Sequence, residues 1–160
     1  DGPEGRVDPS GYVKGWSVDV AGALLDGSGV ADYCLAAGGD VKVAGLGPEG
    51  RPWRIGIQHP TTRLAVAAVL AGGPRAVATS GAYERGAHIR GRAGACLLSA
   101  TVAGPRLGTA DALATALFAA DGAASWFGSF PGYDYLTIGV DEMVRWTPGL
   151  DACLAPAAVA

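Results

Sequence analysis

Apolar residues return every three or four positions between Val13 and Leu24. The stripe Val13, Trp16, Val20 and Leu24 predicts a helix over roughly Lys14–Leu25, those side chains facing the core. Gly27 and Gly29 supply its stop. Before it, residues 1 to 11 carry Pro3, Pro9 and several glycines without apolar periodicity, and read as a loop. Short apolar runs follow. Tyr33–Ala36 reads as a buried strand ended by Gly38-Gly39, with Val41–Ala44 as its hairpin partner, and Trp53–Ile57 alternates with period two up to Pro60. Leu64–Leu70, which its alanines also make compatible with a helix, and Ala76–Thr79 add two candidate strands. Leu97–Ala103, closed by Gly104-Pro105, reads as a central strand. A helix over about Thr109–Ala120 comes next, then a short one within Ala123–Phe130. Tyr135–Val140 and Met143–Thr147 form a hairpin around Asp141-Glu142, and the Ala-rich tail from Ala152 is frayed or an edge strand.

Strands in quick succession with grouped helices predict an α+β fold with a mainly antiparallel sheet and packed helices. One domain over residues 11–151 is expected, with residues 1–10 as a leading loop and 152–160 as a tail. Although 49% of the 160 residues are apolar, alanine and 26 glycines supply much of that share, and no apolar run approaches the ~20 residues of a membrane-spanning helix. The chain reads as soluble. A net charge of −3 provides no basic field for nucleic acid. Cys34, Cys96 and Cys153 match neither zinc-ligand spacing nor a disulfide framework, and are expected as buried free thiols. The four tryptophans are expected as core and rim aromatics. His59 has no second His or Cys nearby to form a zinc site, and neither a P-loop nor a G-x-S-x-G elbow is present.

Chemistry enters with Asp111 and Thr115. Four residues apart on one helix, they sit on the same face, and a carboxylate beside a hydroxyl suits a hard cation such as Mg²⁺, which takes few protein carboxylates and completes its shell with water and phosphate oxygens. Read alone, Asp111 is equally a dipole-favoured residue of a first helical turn. Three further segments weigh against that reading. Lys14-Gly15-Trp16-Ser17-Val18-Asp19 sits at a helix start, where free N–H groups attract anions, though a capped amphipathic helix with two solvated charges explains it too. Gly38-Gly39-Asp40 follows a strand, as a hairpin turn would. Ala78-Thr79-Ser80-Gly81 places two hydroxyls and a close-approach glycine at a strand end.

In this order, with Tyr83-Glu84-Arg85 after the third segment and Asp111-x-x-x-Thr115 last, these motifs resemble the ApbE family, the FAD:protein FMN transferases, from about Gly11 to Thr147. The resemblance implies an ApbE-like (T-fold-like) domain lacking its N-terminal part. It also implies transfer of FMN from FAD to a Ser or Thr hydroxyl of an acceptor flavoprotein, with release of AMP. Lys14, Asp19, Gly38, Gly39, Asp40, Thr79, Ser80, Gly81, His88 and Arg92 would then contact FAD. Mg²⁺ would be held by Asp111, Thr115 and the Ala37 carbonyl, with Asp111 and Thr115 catalytic. The missing N-terminal part would be a partner in the flavin site, and it leaves open whether the whole protein is soluble or anchored to a membrane on the extracytoplasmic side. One departure stands out. Where the family has H-I-x-D-P-x-[TS]-G, this chain has His88-Ile89-Arg90-Gly91-Arg92-Ala93-Gly94, one residue shorter and without Asp-Pro. A loss of function in that loop would leave an FAD-binding module or a slow FAD hydrolase.

Overall fold

The computed structural model of the chain describes residues 8–62, 64–73, 76–81 and 96–155. The segment carrying Tyr83, His88, Arg90 and Arg92 lies outside the described residues. The elements are α1 (Ser10–Gly27), β1 (Tyr33–Ala37), β2 (Asp40–Ala44), β3 (Arg54–Gln58), β4 (Val66–Ala71) and β5 (Ala76–Gly81). They continue with β6 (Leu97–Gly104), α2 (Leu107–Ala119), β7 (Asp134–Gly139), β8 (Val144–Trp146) and β9 (Leu154–Ala155). Six strands form one sheet in the order β1-β2-β5-β6-β7-β8, and β3-β4-β9 form a smaller one. All of these pairings are antiparallel.

The large sheet separates two cores. Ala76, Ala78, Ala100 and Val102 point to the side where α1 and α2 pack, joined by Leu107, Leu113, Leu117 and Phe118 of α2. Val77, Ala103, Leu136 and Ile138 point the other way, onto Ile55, Ile57, Ala68 and Leu70 of the small sheet. β5 and β6 are therefore covered on both faces, which is why their sequences are apolar or small throughout instead of alternating. Alanines on the helix side of both strands let α2 approach closely. Each fully buried Leu or Phe of α2 contributes about 1.5–3 kcal/mol.

The α+β class, the antiparallel pairing and the central place of Leu97–Ala103 are as the pattern predicts, and the ambiguous run near Leu64 is the strand Val66–Ala71. Several expectations are corrected. Helix α1 starts at Ser10, within the expected loop. Its predicted core stripe faces outward: Val13, Trp16, Val20 and Leu24 are exposed, Leu24 at 68%, while Gly15, Val18 and Gly22 are buried. Glycine carries no apolar signal, so a face built from it is invisible to hydrophobic periodicity, yet it admits another backbone at short range. Within 123–130 the structure forms only the 3₁₀ turn Phe127–Ser129. Of the tail, Leu154–Ala155 pairs with β4 as an edge strand. None of the three cysteines forms a disulfide, as expected, but they are not buried: Cys34 and Cys96 are exposed and Cys153 is half-buried.

Candidate functional site

Two glycine contacts bring α1 and α2 together. A Cβ on Gly15 would lie 2.5 Å from the Leu107 carbonyl oxygen, and one on Gly108 would lie 3.0 Å from the Trp16 nitrogen. One turn before Gly15, a Cβ on Gly11 would lie 2.9 Å from the Thr115 hydroxyl. The helices thus run antiparallel in backbone contact, Gly11 over Thr115 and Gly15 over the start of α2. Asp111 is buried between them, and its Oδ2 accepts the Gly15 N–H at 3.2 Å. Because α2 begins at Leu107, Asp111 lies in the second turn and not the first. A dipole effect that fades within one turn does not explain a carboxylate there.

Below the helices, strand alternation divides the β5 hydroxyls. Ser80 points to the helix side, where its Oγ lies 3.2 Å from the Thr115 Oγ1. Thr79 points to the opposite face and shares a hydrogen bond of 2.9 Å with Thr101. Of the two side chains, then, Ser80 is the one on the α2 side, where it meets Thr115. The contribution of Thr79 on this side is its backbone N–H, donated to Asp40 Oδ1 at 3.2 Å.

Asp40 closes the β1–β2 turn. Ala37 pairs with Asp40, and the two intervening glycines have φ of 52° and 86°, the double left-handed conformation of a two-residue hairpin. The Asp40 carboxylate is fully buried and pairs with Lys14 Nζ at 2.7 Å. Lys14 in turn lies alongside Gly38. Residues from all four sequence motifs therefore meet around the crossing of α1 over β2, β5 and α2: Lys14 and Gly15, Gly38 and Asp40, Ser80, and the pair Asp111 and Thr115. Gly39 completes the turn and Gly81 ends β5 beside Ser80.

Asp19 is engaged elsewhere. Its Oδ1 accepts Lys42 Nζ at 2.7 Å and the Leu107 N–H at 3.1 Å, and its Oδ2 accepts the Gly108 N–H at 2.9 Å. Burial pushes its pKa up, but the hydrogen bonds from Gly108, Lys42 and Leu107 outweigh burial and hold it below 3.8. A carboxyl with a lowered folded pKa contributes stability that is complete above the unfolded value and lost as pH falls through the folded one. The gap in urea midpoint between wild type and Asp19→Asn is accordingly expected to stay constant from about pH 7 to about pH 5 and to close only below about pH 4. A gap that widened on acidification would contradict the assignment.

Lys42 lies in none of the four motifs, and although Gly11 and Gly15 stand in the first of them, their helix-packing role is not written there. The signal available was the repeat Gly11, Gly15, Val18, Gly22, a small-residue face at helical spacing. Among the described residues no group of three His, Cys, Asp or Glu side chains forms a metal cluster. A buried carboxylate one helical turn before a hydroxyl that itself meets a second hydroxyl is instead an all-oxygen donor set, which fits Mg²⁺ and disfavours zinc.

Comparison with known proteins shows the family. The ApbE family model matches residues 1–131. The FAD:protein FMN transferase of Vibrio cholerae is 40% identical over 85 residues, covering 52% of this chain and 25% of that protein. The Haemophilus influenzae protein of the same name is 36% identical over 131 residues, covering 72% of this chain and 38% of its own length. The solved ApbE protein of Thermotoga maritima superposes with a TM-score of 0.77 at 29% identity, over 92% of this chain and 53% of that one. The flavin transferase ApbE from Vibrio cholerae gives a TM-score of 0.65 at 30% identity, over 91% of this chain and 51% of that one. The chain thus spans about half the length of these solved relatives, and less of the two curated ones. With ordered motifs meeting at one crossing and a family model covering most of its length, the chain belongs to the ApbE family.

Proposed function

We propose that this chain is the metal- and diphosphate-binding portion of a Mg²⁺-dependent FAD:protein FMN transferase, and that it acts together with further sequence that completes the flavin site. The observation that supports this best is the buried Asp111 one helical turn before Thr115, whose hydroxyl lies 3.2 Å from that of Ser80. Relatives named FAD:protein FMN transferases supply the reaction class.

Asp111 and Thr115 are the side chains that would hold Mg²⁺, with the Ala37 carbonyl as the third ligand that the resemblance implies. When bound, the cation neutralises diphosphate charge and polarises the phosphorus under attack. The chain's own groups bind and orient. Ser80 offers a hydrogen bond to a diphosphate, and Lys14, beside Gly38, would reach it from its ion pair with Asp40. In the transfer, an acceptor Ser or Thr oxygen bonds to the FMN phosphorus and gives up its proton to solvent, while the bond from that phosphorus to the bridging oxygen breaks and AMP departs with that oxygen. Holding both partners in line and stabilising charge account for most of such a rate enhancement.

The test is AMP release and covalent flavin on an acceptor protein, measured with the complete protein, FAD and Mg²⁺. Calorimetry adds the binding step: FAD affinity is expected to drop sharply in EDTA, because two phosphates beside Asp111 repel it without a cation. Equal affinity with and without EDTA would remove the metal from binding. AMP release without acceptor flavinylation would reduce the activity to FAD hydrolysis, and FAD binding without AMP release would leave a binding module.

A further inference from the structure

We propose that Asp19 is a positioning residue, which caps α2 from the neighbouring helix and so sets where Asp111 and Thr115 stand relative to Ser80. The proposal rests on the transferase reading above for its effect on turnover, and on hydrogen bonds alone for its effect on α2.

Helix α2 begins without help from its own flank. Arg106, at the N-cap, contributes no side-chain hydrogen bond, and Leu107 and Gly108 are buried, so their N–H groups lack both water and an intrahelical acceptor. Asp19, 88 residues earlier, accepts both, one on each carboxylate oxygen. Its charge also lies where the α2 dipole favours an anion. With Lys42 on Oδ1 as well, the carboxylate is engaged by three donors from two elements.

The clamp lies at the helix start, before the groups of the site: Asp111 is three and Thr115 seven residues beyond Gly108, roughly 4.5 and 10.5 Å along the helix axis. An error in the placement of the first turn is carried to Asp111 and Thr115 as a shift or rotation of the whole helix.

Lys42 gives the clamp its register. On α1, Lys14 and Asp19 are five residues apart, a rise of about 7.5 Å. On β2, Asp40 and Lys42 are two apart, about 6.8 Å. The two ion pairs, Lys14 with Asp40 and Asp19 with Lys42, have opposite polarity and nearly matched spacing. Sliding α1 along β2 breaks both and brings like charges together. Gly22 leaves room for the Lys42 stem, since a Cβ there would lie 2.8 Å from Lys42 Cε. β2 therefore fixes α1, and α1 through Asp19 fixes α2.

The experiment is Asp19→Asn in the complete protein, read two ways. Amide hydrogen exchange is expected to quicken about tenfold or more across residues 107–111 while β5 and β6 keep their protection. In the AMP-release assay, kcat is expected to fall about ten- to a hundredfold with KM for FAD changed by less than about threefold. A raised KM with unchanged kcat would make Asp19 a direct flavin contact and overturn the proposal, as would unaltered exchange in the first turn of α2. Should Asp19→Asn not fold, Lys42→Met keeps both capping bonds and removes only the counter-cation. It is expected to move exchange and kcat in the same directions by about three- to tenfold, and no change in either would overturn the proposal. If the wild type releases no AMP, the transferase reading fails while the exchange result still decides the capping role.

Discussion

Asp111→Ala is expected to leave a folded protein that no longer turns over FAD. The loss of the acceptor for the buried Gly15 N–H costs about 1–3 kcal/mol. No first-turn dipole contribution is lost, since the residue sits in the second turn. The catalytic loss is of another order. Removing the only carboxylate of the proposed donor set takes away most of the cation's affinity and with it several kcal/mol of transition-state stabilisation, at a factor of ten for about each 1.4 kcal/mol. AMP release should fall by at least a thousandfold at fixed Mg²⁺, and a large excess of Mg²⁺ should restore only part of it. Thr115→Val is expected to be milder, because water can replace a neutral hydroxyl ligand. Rate assays with thermal melts on both variants check this, and wild-type turnover in a folded Asp111→Ala protein would sink the metal site.

Gly15→Ala is expected to destabilise the fold although alanine is the better helix former. In an open helix the change gains about 0.8–1 kcal/mol. Here the new Cβ meets the Leu107 carbonyl oxygen at 2.5 Å, its carbon at 2.7 Å and the Gly108 Cα at 2.9 Å, all of them backbone atoms that move only if α1 and α2 part. Overpacking of this kind costs about 1–3 kcal/mol, and up to the upper end where no side chain can yield. The strain outweighs the propensity, so the denaturant midpoint should drop. Turnover should fall too, since parting the helices draws Gly15 from Asp111 and Gly11 from Thr115. A midpoint equal to or above wild type would show that the crossing is looser than the geometry indicates. Gly27→Ala is the matched control, as nothing lies within 4 Å of a Cβ there.

The primary sequence by itself determined much of this protein. It carried the α+β class, the hairpin joining β1 to β2, the central strand before the Asp111 helix, and four ordered motifs that mark the ApbE family. Each of these is local: a period, a turn signal or a short string of residues. Which partner a group meets across the fold was decided only in three dimensions. The outward turn of Trp16 and Leu24 was hidden because the true inner face of α1 is built from Gly11, Gly15, Val18 and Gly22, residues that bury backbone against backbone and leave no hydrophobic trace. Thr79 and Ser80 are adjacent and chemically alike, and pleating sends them to opposite faces, but only the packing of α2 establishes that the Ser80 side is the one facing Asp111. Asp19 is the strongest case. In the sequence it is a charge on an exposed-looking helix, and its acceptors' worth depends on two N–H groups that come within hydrogen-bond distance only because two glycines let α1 and α2 touch.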